Sequence, residues 1–166
     1  MKRGSYLLLL AAALAVVATA SAGTKSRSGI GSTVLEGHLI GISNFFAPAC
    51  TSVTTVCSRF TISGSIQGSG IVSVDTFPNA DGESHAHTVI QTKFGELRCH
   101  EIAIFDLVDV DHGFVDLCQI DGGTGRYAGA TGYIQEVGTF DFASNVGGGH
   151  YHGKLVLPRG ELRSRR

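Results

Sequence analysis

The sequence predicts an all-β protein, an eight-stranded antiparallel up-and-down β-barrel. Three observations carry that expectation. Segments rich in Thr, Ile, Val and Phe recur between short turn signals. No stretch keeps a helical period over a useful length. Glycines crowd Gly122–Gly132, and each interior glycine disfavours a helix by about 1 kcal/mol relative to Ala. A meander joined by tight turns closes readily on itself, since closure removes exposed sheet edges. Eight strands enclose a lumen that side chains fill or that holds one small ligand.

Taken in order, Met1-Lys2-Arg3 is a short basic start and Leu7–Ala18 an unbroken apolar run. Ala20-Ser21-Ala22 puts small residues where a signal peptidase reads them. Residues 1–22 therefore read as a secretory signal peptide, too short for a membrane span of about 20 apolar residues. A secreted or periplasmic location is expected. Residues 23–32 are small and polar and read as a disordered lead-in. Residues 33–158 read as one barrel domain and 159–166 as a basic tail.

Within the domain, Thr33–Ser43 is the first expected strand, followed by an irregular loop, Asn44–Val56. Cys57–Gln67 is the second, with Gly68–Gly70 as a turn, and Ile71–Phe77 the third. Pro78–Gly82 is a strong turn signal. Glu83–Phe94 and Leu97–Val108 are strands reversed at Gly95, and Asp109–Gly113 is the next turn. Phe114–Ile120 leads into the glycine stretch, and Tyr133–Phe142 leads out. Ser144–Gly149 reads as a loop and His150–Leu157 as the last strand, stopped by Pro158.

Four cysteines behind a signal peptide imply two disulfides, for which three pairings exist. Cys50–Cys57, closing the loop Thr51–Val56, and Cys99–Cys118, joining two neighbouring strands, are favoured. No Cys-x-x-Cys spacing supports zinc. Removing residues 1–22 takes away Lys2 and Arg3, so 13 basic residues become 11 against 14 acidic ones. That balance excludes general nucleic-acid binding.

His85-Ala86-His87 and His150-Tyr151-His152 are the sharpest polar features. Residues two apart share a strand face, so each pair could offer two imidazoles to a metal. The alternation instead sets Glu83, His85 and His87 opposite Ala86, Ile90 and Phe94, on the solvent side. No metal site is expected. Asp106, Asp109, Asp111 and Asp116 crowd one hairpin and read as polar turn residues, since the spacing does not fit a calcium loop. Gly123-Thr124-Gly125-Arg126-Tyr127-Ala128 fits a dinucleotide fingerprint, but no helix follows to hold a pyrophosphate. No Gly-x-Ser-x-Gly elbow occurs. No cofactor is expected and no catalytic constellation is identifiable.

The glycine stretch has a structural logic. Gly122, Gly123, Gly125, Gly129 and Gly132 allow positive φ and close backbone approach. Tyr127 can plug one barrel end, and Arg126 can hydrogen-bond carbonyls at the rim. From Ile120 through Gly132, then strand, loop and last strand, the sequence resembles the closing part of the allene oxide cyclase-like barrel that dirigent proteins share. The resemblance covers Phe114–Leu157. It implies an eight-stranded barrel with an apolar lumen, often trimeric, and cyclase or stereo-directing activity in some members. No catalytic residue is carried over from it. The leading expectation is a barrel that binds a small apolar ligand in its lumen or serves as a scaffold. The alternatives are a lumenal cyclase or stereo-directing enzyme, and an extracellular structural protein without a pocket.

Overall fold

The computed structural model describes residues 31–45, 50, 52–108 and 112–158. The expected signal peptide, the basic tail and the turn residues 109–111 lie outside them. Eight strands run in order: β1 (Gly31–Phe45), β2 (Val56–Gly64), β3 (Gly68–Thr76), β4 (Glu83–Thr92), β5 (Gly95–Phe105), β6 (Gly113–Gly123), β7 (Thr131–Asp141) and β8 (Val146–Leu157). Each pairs antiparallel with the next, and β1 also pairs with β8, so the sheet closes into an up-and-down barrel. No helix among the described residues is long and apolar enough to cross a membrane. Alternation sorts the side chains. On β5, Leu97, Cys99 and Glu101 are buried inward, while Arg98, His100 and Ile102 face out.

Three glycine-rich readings need correction. The reversal after β2 uses residues 65–67, and Gly68–Gly70 belongs to β3. A Cβ on Gly70 would collide with the Phe60 ring, so this glycine makes room for an inward aromatic. Gly147, Gly148 and Gly149 likewise lie in β8 rather than in a loop. A Cβ on Gly148 would strike the Leu39 carbonyl, and one on Gly149 the Val137 carbonyl. The lead-in also ends early, because Gly31 and Ser32 pair with Leu157 and Val156.

The barrel is filled at one end only. Leu35, Ile62, Ile66, Ile90, Leu97, Ile120, Ile134 and Leu155 pack together there. Ile66 sits in the β2–β3 turn, and its N–H donates to Tyr151 Oη at 3.0 Å. The Cys99–Cys118 disulfide crosses from β5 to β6 inside this core, and Cys50–Cys57 ties the β1–β2 loop to β2.

The glycine stretch caps the filled end. Gly122 and Gly123 finish β6, Gly125–Tyr127 makes one 3-10 turn, and Gly132 enters β7. The Thr124 and Arg126 N–H groups donate to Glu96 and Phe94 carbonyls, both at 2.9 Å. Tyr127 is buried in the core cluster, only 6% exposed. The Arg126 guanidinium lies over the Phe94 ring, 5.4 Å from its centroid, rather than bonding rim carbonyls. Gly125 has φ +56°, and a Cβ there would meet the Phe94 carbonyl. Gly125→Val should therefore lower stability by more than the ~1 kcal/mol of propensity alone. Tyr127→Ala should cost about 3–5 kcal/mol, as loss of a core aromatic does. Thermal unfolding followed by circular dichroism checks both, and unchanged melting in both variants would show that the stretch is not a structural cap.

Candidate functional site: a lumenal cavity ending on three carboxyls

The opposite half of the barrel is open. A cavity of about 340 Å³ enters between the β3–β4, β5–β6 and β7–β8 ends. Phe77, Phe105, Phe114, Phe140 and Phe142 ring its mouth. Several of these rings touch at the tilted or edge-on angles that aromatic pairs prefer, with Phe105–Phe142 at 6.0 Å and Phe140–Phe142 at 4.9 Å between centroids. Inward glycines and small side chains, among them Gly41, Ala86, Ala103 and Gly147, leave the space unfilled.

Where the cavity meets the packed core, three adjacent strands each contribute one carboxyl: Glu101 from β5, Asp116 from β6 and Glu136 from β7. Asp116 and Glu136 stand directly opposite each other in the β6–β7 register. Glu101 faces Cys118, two residues along the β5–β6 ladder from Asp116 and on the same face. Like charges opposed across strands repel. Burial pushes Glu101 up to about 7, opposed by the neighbouring Thr88 hydroxyl and then by the His87 charge. Thr88 Oγ1 acts there without meeting hydrogen-bond geometry. Burial raises Asp116 to about 9, aided by the charges of Glu101 and Glu136. Burial, then Glu101, raises Glu136 to about 8. Asp116 Oδ1 is buried with no hydrogen-bond partner among the described residues. Three such groups lose their protons in steps that belong to the set. Burial and mutual repulsion thus favour the protonated forms of the cluster at neutral pH.

Asp116 thus departs from its reading as a turn residue. It lies within β6 on the same inward set as Cys118 and Ile120. Asp106 does sit at the hairpin, where its carboxylate accepts the Val108 N–H at 2.9 Å. Asp109 and Asp111 lie outside the described residues. The histidines stay outside the barrel. His85 bonds Glu83 at 2.7 Å, and His87 bonds Asp75 at 3.1 Å. His150 is brought against His38 of β1, with ring centroids 4.3 Å apart, and His152 is exposed. Among the described residues, the group of ligand atoms close enough to hold a metal is Cys99, Glu101 and Cys118, whose two sulfurs are already joined to each other.

Glu101 and Glu136 escaped the sequence reading altogether, although a signal for them exists. Glu101 shares parity with Leu97 and Cys99, and Glu136 with Ile134, so each is an acid on the apolar set of its strand.

The raised values make stability depend on pH. Between about pH 4 and pH 9 the folded barrel holds protons that the unfolded chain has released, so stability falls as pH rises through that window. The stabilisation is fully present near pH 4 and lost above the folded values. A tenfold change in proton affinity between the folded and unfolded chain is worth about 1.4 kcal/mol, so a difference of several kcal/mol between pH 5 and pH 9 is expected in urea unfolding. Asp116→Asn should flatten the profile and stabilise the barrel at pH 9. A profile that rises with pH would mean the acids are ionised in the fold.

No family model, no curated protein and no solved structure matches this chain. The chemistry of the lumen therefore carries the functional assignment.

Proposed function

We propose that this chain is an extracytoplasmic barrel that takes a small, largely apolar molecule into its lumen. The observation that carries the reading is the open half-lumen, apolar at the mouth and ending on buried carboxyls. Its volume falls at the lower end of small-molecule pockets, and an apolar enclosure with a few convergent polar groups is how such pockets are built. Two disulfides with no free cysteine fit an oxidising compartment. The cavity argues against a structural barrel without a pocket. Binding of the neutral fluorophore N-phenyl-1-naphthylamine tests the reading. Saturable binding is expected, weakened at least tenfold in Ala103→Phe, whose ring would occupy the lumen beside Asp116. Absence of saturable binding, or equal binding by the filled variant, would sink it.

The carboxyl cluster favours a second reading, a lumenal cyclase or stereo-directing enzyme. Acids with values near neutrality suit general acid–base work. The resemblance of Phe114–Leu157 to allene oxide cyclase-like and dirigent barrels belongs with this reading. Self-association, the trimer that the resemblance implies, finds support in a run of exposed apolar side chains on the outer wall: Ile102 and Ile104 of β5, Val115 and Leu117 of β6, and Val137 of β7.

A further inference from the structure

We propose that the lumen is a site for an organic cation, an ammonium group carried on an apolar body. This rests on the ligand-binding reading above and names the class of ligand. Three carboxyls converge on the cavity from adjacent strands, and among the described residues lining it none is Lys, Arg or His. Glu101 and Asp116 are each only 8% exposed, and one Asp116 oxygen has no hydrogen-bond partner among the described residues. What this cluster lacks is a positive charge, because a nearby cation favours the ionised form that burial disfavours. The route to it runs past phenylalanine rings, whose negative faces attract ammonium groups, most strongly where water is excluded. Carboxylates behind aromatic rings are complementary to a weakly hydrated organic cation.

Other occupants fit less well. A neutral ligand with one acceptor would engage one acid proton and leave the other carboxyls opposed as before. A bare metal ion would need ligand oxygens drawn close together, and Glu101, Asp116 and Glu136 do not form such a group. An ammonium group has a larger radius and trades its thin hydration shell for rings and carboxylates.

Binding of a permanent cation must displace protons. The titratable groups at the cluster are Glu101 on β5, Asp116 on β6 and Glu136 on β7; Tyr151 on β8 pairs with Glu136 in the register, but its hydroxyl turns into the packed end and accepts the Ile66 N–H. Burial raises Tyr151 further, so it stays protonated. From β4, Ser84, Ala86 and Thr88 point inward without titrating, and the His87 charge acts from the outer face. Leu39, Phe60 and Val72 complete the wall from β1, β2 and β3. Affinity for a cation should thus rise with pH, up to about tenfold per pH unit for each proton released.

The test is titration calorimetry with two ligands sharing one body, 1-naphthylmethyl-trimethylammonium and 1-naphthylmethanol, from pH 6 to pH 8.5. The ammonium should bind at least tenfold tighter than the alcohol at pH 8, tighten as pH rises, and release protons in buffers of different ionisation enthalpy. Glu101→Gln with Asp116→Asn and Glu136→Gln should abolish that preference while the alcohol still binds. If the combined variant does not fold, Glu136→Gln alone should reduce both the preference and the pH slope. Alcohol binding with no preference for the ammonium at any pH would overturn the cation assignment and leave lumenal binding standing. Binding of neither would overturn both.

Discussion

Register pairs from Gly31–Leu157 to Ile42–Val146 join the first strand to the last, and the interior answers to that closure. An open meander would leave the edges of β1 and β8 unpaired. Once closed, each strand has to send alternate residues into a lumen of fixed width. Size is then constrained on every inward position at once. Gly70 yields to the Phe60 ring and Gly149 to the β7 backbone, while Gly148, on the outward set of β8, yields to the β1 backbone. The fold loses backbone entropy at these glycines, and closure with its shared packing offsets the loss.

Filling is uneven along the barrel axis. Branched aliphatics, a disulfide and Tyr127 occupy the end near the glycine stretch. Toward the other end the inward residues shrink to Gly41, Ala86, Ala103 and Gly147, while phenylalanines stand around the rim. A barrel evolved only for stability would continue the dense packing through to the mouth, since unfilled apolar space forfeits contacts. The phenylalanines instead enclose a cavity that is apolar in its walls and acidic at its base.

Glu101, Asp116 and Glu136 mark the boundary between the two halves. Each opposes folding at neutral pH, because burial makes its charged form unfavourable. Apolar residues of similar size would stabilise the barrel. Departures of this kind from local consistency are where function is found. The cluster also lies directly above the Cys99–Cys118 bridge, with Glu101 facing Cys118 in the β5–β6 ladder. The covalent link between β5 and β6 limits how far two of the three carboxyls can move apart.

Strand number, order and antiparallel sense were legible in the sequence because they rest on local quantities: alternation, turn chemistry and the absence of a helical period. The Cys99–Cys118 pairing was legible because the two residues fall on neighbouring expected strands, and the outward set of Glu83, His85 and His87 because of alternation. Glycine was misread wherever its role was spatial. Gly68–Gly70 and Gly147–Gly149 resemble turn punctuation, yet they serve contacts with residues from other strands, which composition does not reveal. The acidic cluster belongs wholly to the tertiary structure. Asp116 reads in the sequence as a turn residue and Glu101 and Glu136 as ordinary strand acids, and the raised values come from burial and from neighbouring carboxyls. Parity along a strand is a local property, whereas convergence of three strands on one lumen exists only after the sheet has closed.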